Sequence, residues 1–224
     1  MFRQIFLTAL IAGAVAGLLT AGVQRLRLIP LIERAEVYED AAAQQSGHAL
    51  EGMAAAEWEP EGLERAAYTV LADLLAGIGF ALMLTGAMAI AGLRGHAISW
   101  RRGLLWGAAG FLAFALAPAL GLPPEPPGME AAALAARQAW WLATALATAI
   151  GLALIVFVPQ IWSRVAGAAL VLLPHLIGAP QGPEGASAVP AAIATQFVVA
   201  SLATTALFWL VLGGVSGWLY RRLA

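Results

Sequence analysis

Ile5-Phe-Leu-Thr-Ala-Leu-Ile-Ala-Gly-Ala-Val-Ala-Gly-Leu-Leu-Thr-Ala-Gly-Val23 carries no charge from end to end. About 20 apolar residues let an α-helix cross a bilayer. The run is too long for a signal-peptide core and lacks a clean cleavage site before polar sequence, so it reads as a retained first helix. Working outward, Leu74–Leu93 and Gly103–Leu122 are the next spans, the latter closed by Pro118 and the prolines after it. Gln138–Val158 follows, and Pro190–Tyr220 is long enough to tilt or overhang. Val165–Ile177 is apolar but short, with Pro174 inside it. It is a thin additional span or a re-entrant segment. The expected fold is an all-α polytopic membrane helix bundle with six transmembrane helices, or five if 165–177 is re-entrant. Residues 1–224 form one transmembrane domain, and 25–66 is an acidic extracytoplasmic segment between the first and second helices.

Composition agrees. Hydrophobic residues make up 61% and charged residues 11% of the 224, against about 45–50% and 25% in soluble domains. Mean hydropathy is +0.82. A soluble chain of this size cannot hide that much apolar surface. Soluble enzymes, disordered chains and nucleic-acid binders are excluded, and membrane lipid is the main solvent. The absence of Cys excludes thiolate metal sites and iron–sulfur clusters.

Charge placement orients the chain. All 12 basic residues are Arg, and ten of the 13 acids lie between Glu33 and Asp73. Arg94, Arg101 and Arg102 share one short turn without an acid, which marks it as cytoplasmic. Counting from that turn puts Arg3 inside, and the acidic segment and the turn 123–137 outside. Arg221 and Arg222 fall inside only if Val165–Ile177 crosses. Six spans therefore fit better, with both termini cytoplasmic. Trp100, Trp140, Trp141, Trp162 and Trp218 lie near span ends, where aromatic belts form.

Gly13 with Gly17, Gly103 with Gly107 and Gly213 with Gly217 each put two small residues on one helix face. Such faces let backbones approach where lipid supplies no hydrophobic push. Packing within the chain is the simpler reading. The sharper one gives Gly213–Gly217 to a partner helix. No phosphate-binding loop, zinc-hydrolase motif or nucleophile elbow is present, so the chain reads as a non-enzyme.

Candidate metal ligands concentrate in the acidic segment. Glu33, Glu36 and Asp40 share one face of a helix, and His48 follows. Like charges so placed repel unless a cation sits among them. Carboxylates with an imidazole suit a divalent transition metal. A solvated arm kept soluble by its acids is the simpler alternative. Asp73 opens the second span, as an intramembrane functional carboxylate or as one stabilised by the helix dipole. His175 follows Pro174, as a ligand or as a buried hydrogen-bonding residue. Thr195, Gln196, Ser201, Thr204 and Thr205 line a polar path or bond their own helix.

The chain resembles the CbtA family of proposed cobalt transporter subunits. The resemblance rests on Leu10–Gly17, Pro30–Glu36 with Tyr38 and Glu39, Gly62–Arg65, Gly110–Ala113, Ala117–Gly128, Arg137–Trp140, Pro174–Pro180 and Gln196–Phe197. It implies cobalt as the transported ion, destined for cobalamin, and a small single-span partner of the CbtB type. It also implies five spans and a richer histidine cluster in the first outer segment, where this chain has only His48. Two functions remain open: a divalent metal permease subunit, and a non-transporting scaffold or assembly factor. No tightly bound cofactor and no nucleic-acid partner are expected.

Overall fold

The computed structural model describes residues 1–45, 62–183 and 187–223. Helix α1 (Phe2–Arg27) leads into α2 (Ile29–Gln45), and α3 is Gly62–Leu93. Helix α4 (Trp100–Phe111) continues through a π-helical turn at Leu112–Leu116 into α5 (Ala117–Ala119). Then come α6 (Leu134–Phe157), α7 (Ile161–Ile177) and α8 (Ala191–Arg222). There is no strand among the described residues.

Among the described residues five helical stretches are long and apolar enough to cross a membrane: α1, α3, Trp100–Ala119, α6 and α8. Helices α1 and α3 cover their expected spans, whereas Trp100–Ala119 stops three residues before the expected Leu122, α6 one before Val158, and α8 starts one after Pro190. The sixth segment is a continuous 17-residue helix rather than a broken loop. It starts four residues before the expected Val165 and passes through Pro174. The proline falls in the last turn, and the N–H it lacks leaves only the Leu170 carbonyl, one turn earlier, without its helical donor. Gly178, at φ +90°, then ends the helix and donates its N–H to the Pro174 carbonyl.

Helix α7 packs antiparallel on α6. Trp140 and His175 meet at one end, at 5.9 Å between ring centroids. Midway, Gly151 and Gly167 bring their backbones together. Residues 158–160 turn the chain at the far end, where Phe157 stacks near His96 and Trp106. At 1.5 Å per residue α7 is about 25 Å long, and it runs from one end of the bundle to the other.

Among the described residues the chain therefore passes from end to end of the bundle six times, and helices α1 and α8 start and finish at the same end. Gln4 Nε2 donates to the Tyr220 carbonyl at 2.6 Å there. At the opposite end, Ala35 of α2 is buried with Val189 and Ile193. Glu39 also lies against Gly128, the φ +78° glycine that closes the proline-rich turn. The acidic arm thus begins with a helix folded back on the bundle. Its acidic face is turned away from Ala35, which is fully buried.

Small residues set the core. Gly13 and Gly17 lie against the backbone of α3 at Gly77, Ile78 and Asp73. Gly103 and Gly107 lie against α8 at Gly213 and Trp209. The Gly213–Gly217 face is consumed inside the chain and offers no partner helix a seat. An aromatic cluster of Phe80, Phe114, Phe208 and Trp209 fills the centre.

Candidate functional site

Asp73 sits in the first half of α3, where α1 crosses it. Gly17 brings α1 close enough to touch the Asp73 backbone. That approach places Gln24, two turns further along α1, beside the carboxylate. Gln24 Nε2 donates to Oδ1 at 3.2 Å. Oδ2 is enclosed and has no hydrogen-bond partner among the described residues. A half-used carboxylate in an apolar helix pair is costly to maintain and leaves one oxygen for a cation.

Glu33, Glu36 and Asp40 share the outward face of α2, as expected. Glu36 is held by Arg65 of α3, at 2.6 Å. That pair ties the start of α3 to α2 and neutralises the centre of the acidic face. Glu33, Glu39 and Asp40 are exposed. His48, with Glu51, Glu57, Glu59 and Glu61, lies outside the described residues. Glu125 is paired with Arg137 at 3.3 Å, which fastens the proline-rich turn to α6.

His175 is held edge-on against Trp140. Asp73 belongs to the α1–α3 pair and His175 to the α6–α7 pair, and α3 and α7 share no extended interface. No group of three or more His, Asp or Glu side chains converges on one point among the described residues. Thr195, Thr204 and Thr205 each donate to the carbonyl four residues back. Gln196 lines a groove between α8 and the end of α1.

Two participants were not singled out from sequence. Gln24 was readable only as an amide at a span end, and Arg65 only as a basic residue among acids.

The seven arginines Arg3, Arg94, Arg101, Arg102, Arg164, Arg221 and Arg222 belong to the end that holds the termini, and no acid occurs in its segments. Arg101 and Arg222 lie over the rings of Trp100 and Trp218, at 5.4 and 5.5 Å. An Arg–Trp rim at one end and carboxylates at the other define a multi-pass helical membrane protein. No curated protein and no solved structure matches the chain. A family does: residues 2–221 match CbtA, the probable cobalt transporter subunit, and the chain belongs to that family.

Proposed function

We infer that this chain is the membrane subunit through which cobalt is taken up for cobalamin synthesis, as a non-enzyme working with a single-span partner of the CbtB type. The observation that carries the reading is the polarity of the bundle. Among the described residues the carboxylates gather toward one end, and only Asp73 is set beyond the first turn of a long apolar helix. That end faces outward, and the seven-arginine end faces the cytoplasm of a bacterial inner membrane. Six crossings, with both termini at the arginine end, support a reading in which both termini are inside.

In this reading the exposed acids Glu33 and Asp40, with His48 beyond them, raise the local cation concentration at the mouth. Glu36 fixes the arm through Arg65. Asp73 supplies the charge that a divalent ion needs as it leaves water, because carboxylate oxygen offsets part of the lost hydration. His175 serves as a separate nitrogen ligand on the α6–α7 pair, favouring cobalt over magnesium. The test is metal accumulation in cells with and without the gene, with cobalt, nickel, zinc and manganese in competition. Cobalt-selective accumulation supports the reading, and accumulation unchanged for every metal rejects it.

A further inference from the structure

A groove runs along the first half of α8. Its walls are the end of α1 and the start of α2 on one side, and α8 from Thr195 to Leu207 on the other. It encloses about 700 Å³, a volume typical of small-molecule sites. Leu26 and Val199 both line it, and they are 76% and 62% exposed. Val199 lies more than two turns inside a membrane-spanning helix, so its exposure is to lipid. The groove opens sideways into the bilayer rather than into the bundle.

One end of this groove is polar and the other apolar. Arg27, the last residue of α1, stands at the mouth with Gln196. Deeper in, the lining is Val23, Ala200, Ala203 and Leu207. The hydroxyls of Thr195 and Thr204 are spent on the carbonyls of Ala191 and Ala200, which leaves Arg27 and Gln196 as the polar side chains free for a ligand. Among the described residues the ion pairs are Arg65 with Glu36 and Arg137 with Glu125, and Arg27 has neither an acid nor another acceptor. An arginine at a membrane boundary lays its stem along apolar surface and carries its charge to headgroup level. There its forked N–H groups match the oxygens of a phosphate.

Length decides what fills the groove. Thr195 to Leu207 covers about 18 Å of helix, and one leaflet of hydrocarbon is about 15 Å thick, half of a typical core. Leu207 lies midway along α8. Beyond it Phe208, Trp209 and Leu212 are buried in the core with Ala9 and Ala16 of α1, so the groove stops halfway down the bundle. A partner helix that spans the membrane needs a seat about 30 Å long. A single acyl chain needs one leaflet.

We propose that this groove is a binding site for one phospholipid of the leaflet at the acidic-arm end. The Arg27 guanidinium donates to its phosphate, the Gln196 amide donates to a glycerol ester, and one acyl chain lies between α1 and α8 down to Leu207. Phosphatidylglycerol suits the site best, because its headgroup has no amine to compete for the phosphate charge. The site follows from geometry whichever way the bundle faces, so it stands apart from the transport reading.

The test is native mass spectrometry of the full chain in mild detergent, titrated with dioleoyl phosphatidylglycerol. Wild type should hold one lipid more tightly than any further ones. Arg27→Gln should weaken that first lipid at least about tenfold, the scale of one lost charge-assisted contact. Arg25→Gln removes an exposed arginine that does not line the groove, and should leave the affinity unchanged. Dioleoylglycerol, which lacks the phosphate, and glycerol 3-phosphate, which lacks the chains, should both fail to displace the lipid. Equal affinity in Arg27→Gln and wild type would overturn the site. Displacement by glycerol 3-phosphate would reduce it to a bare anion contact and overturn the lipid.

Ala203→Phe tests the apolar half. Ala203 is exposed, so a ring there fills the groove without entering the core, and the first lipid should again be lost. Loss of a copurifying single-span subunit from Ala203→Phe, with phosphatidylglycerol binding untouched, would give the groove to a protein partner and overturn the proposal. Thermal unfolding supplies a second reading on the same samples. Phosphatidylglycerol should raise the unfolding temperature of wild type and Arg25→Gln by mass action, and raise that of Arg27→Gln less. An equal rise in all three would assign the effect to bulk lipid and contradict the site.

Discussion

Asp73 carries the most chemistry of any single residue, and its neighbours make that testable. Gln24 occupies one carboxylate oxygen, and the other is enclosed without a partner. Asp73→Asn keeps the shape and leaves an amide oxygen for Gln24, so abundance should hold while cobalt uptake falls by at least about tenfold, the factor that 1.4 kcal/mol of lost ion stabilisation gives. Measuring uptake against protein level in the same membranes checks it. The arm acids predict a different signature. Replacing Glu33 and Asp40 with Gln and Asn should weaken uptake mainly at low metal and low salt, because fields between exposed charges are screened beyond about 10 Å at 0.1 M. A loss equal at all salt concentrations would make these acids structural. The residue types were legible in the sequence, but their partners were not. Gln24 and Asp73 lie 49 positions apart, and they meet only because Gly17 sets how closely α1 crosses α3. No local pattern encodes that crossing.

At the scale of helices, glycine decides which faces meet. A Cβ at Gly103 would collide with the Gly213 backbone, whereas one at Gly79 or Gly86 would meet nothing. Gly103→Ala must push two backbones apart and should cost about 1–3 kcal/mol, as overpacking does. Gly79→Ala and Gly86→Ala should be neutral or stabilise by about 0.5–1 kcal/mol, the helix advantage of Ala over Gly. Thermal unfolding of purified protein in detergent separates the two sets. The three small-residue pairs were visible in sequence because four-residue spacing fixes a face. Their partners were not, because any small face fits another. Helix α7 shows the opposite limit. Pro174 reads as an interruption when the apolar run is counted from Val165. With the helix starting at Ile161 and ending at Ile177, more than three turns precede the proline and a single turn follows it, so the helix is long enough to persist through it.

Across the whole molecule, six end-to-end passes among the described residues and one-sided arginines predict an orientation. A reporter that fluoresces only in the cytoplasm, fused after Ala224, should light up, and an extracytoplasmic reporter placed in the turn Pro123–Pro127 should be active. A dark carboxyl-terminal fusion would mean that α7 does not cross. The overall architecture was readable because lipid forbids unpaired backbone and penalises charge, so long apolar runs had to be spanning helices. The fold-back of α2 was not readable, since its contacts with Gly128, Val189 and Ile193 come from two loops and the start of α8, all distant in sequence. The central claim is that this bundle moves cobalt inward past Asp73. Its most direct test is cobalt accumulation by cells carrying wild-type protein or Asp73→Asn, with its partner subunit present and at matched abundance. The account predicts strong accumulation with wild type and near-background accumulation with the variant, and equal accumulation by the two would contradict it.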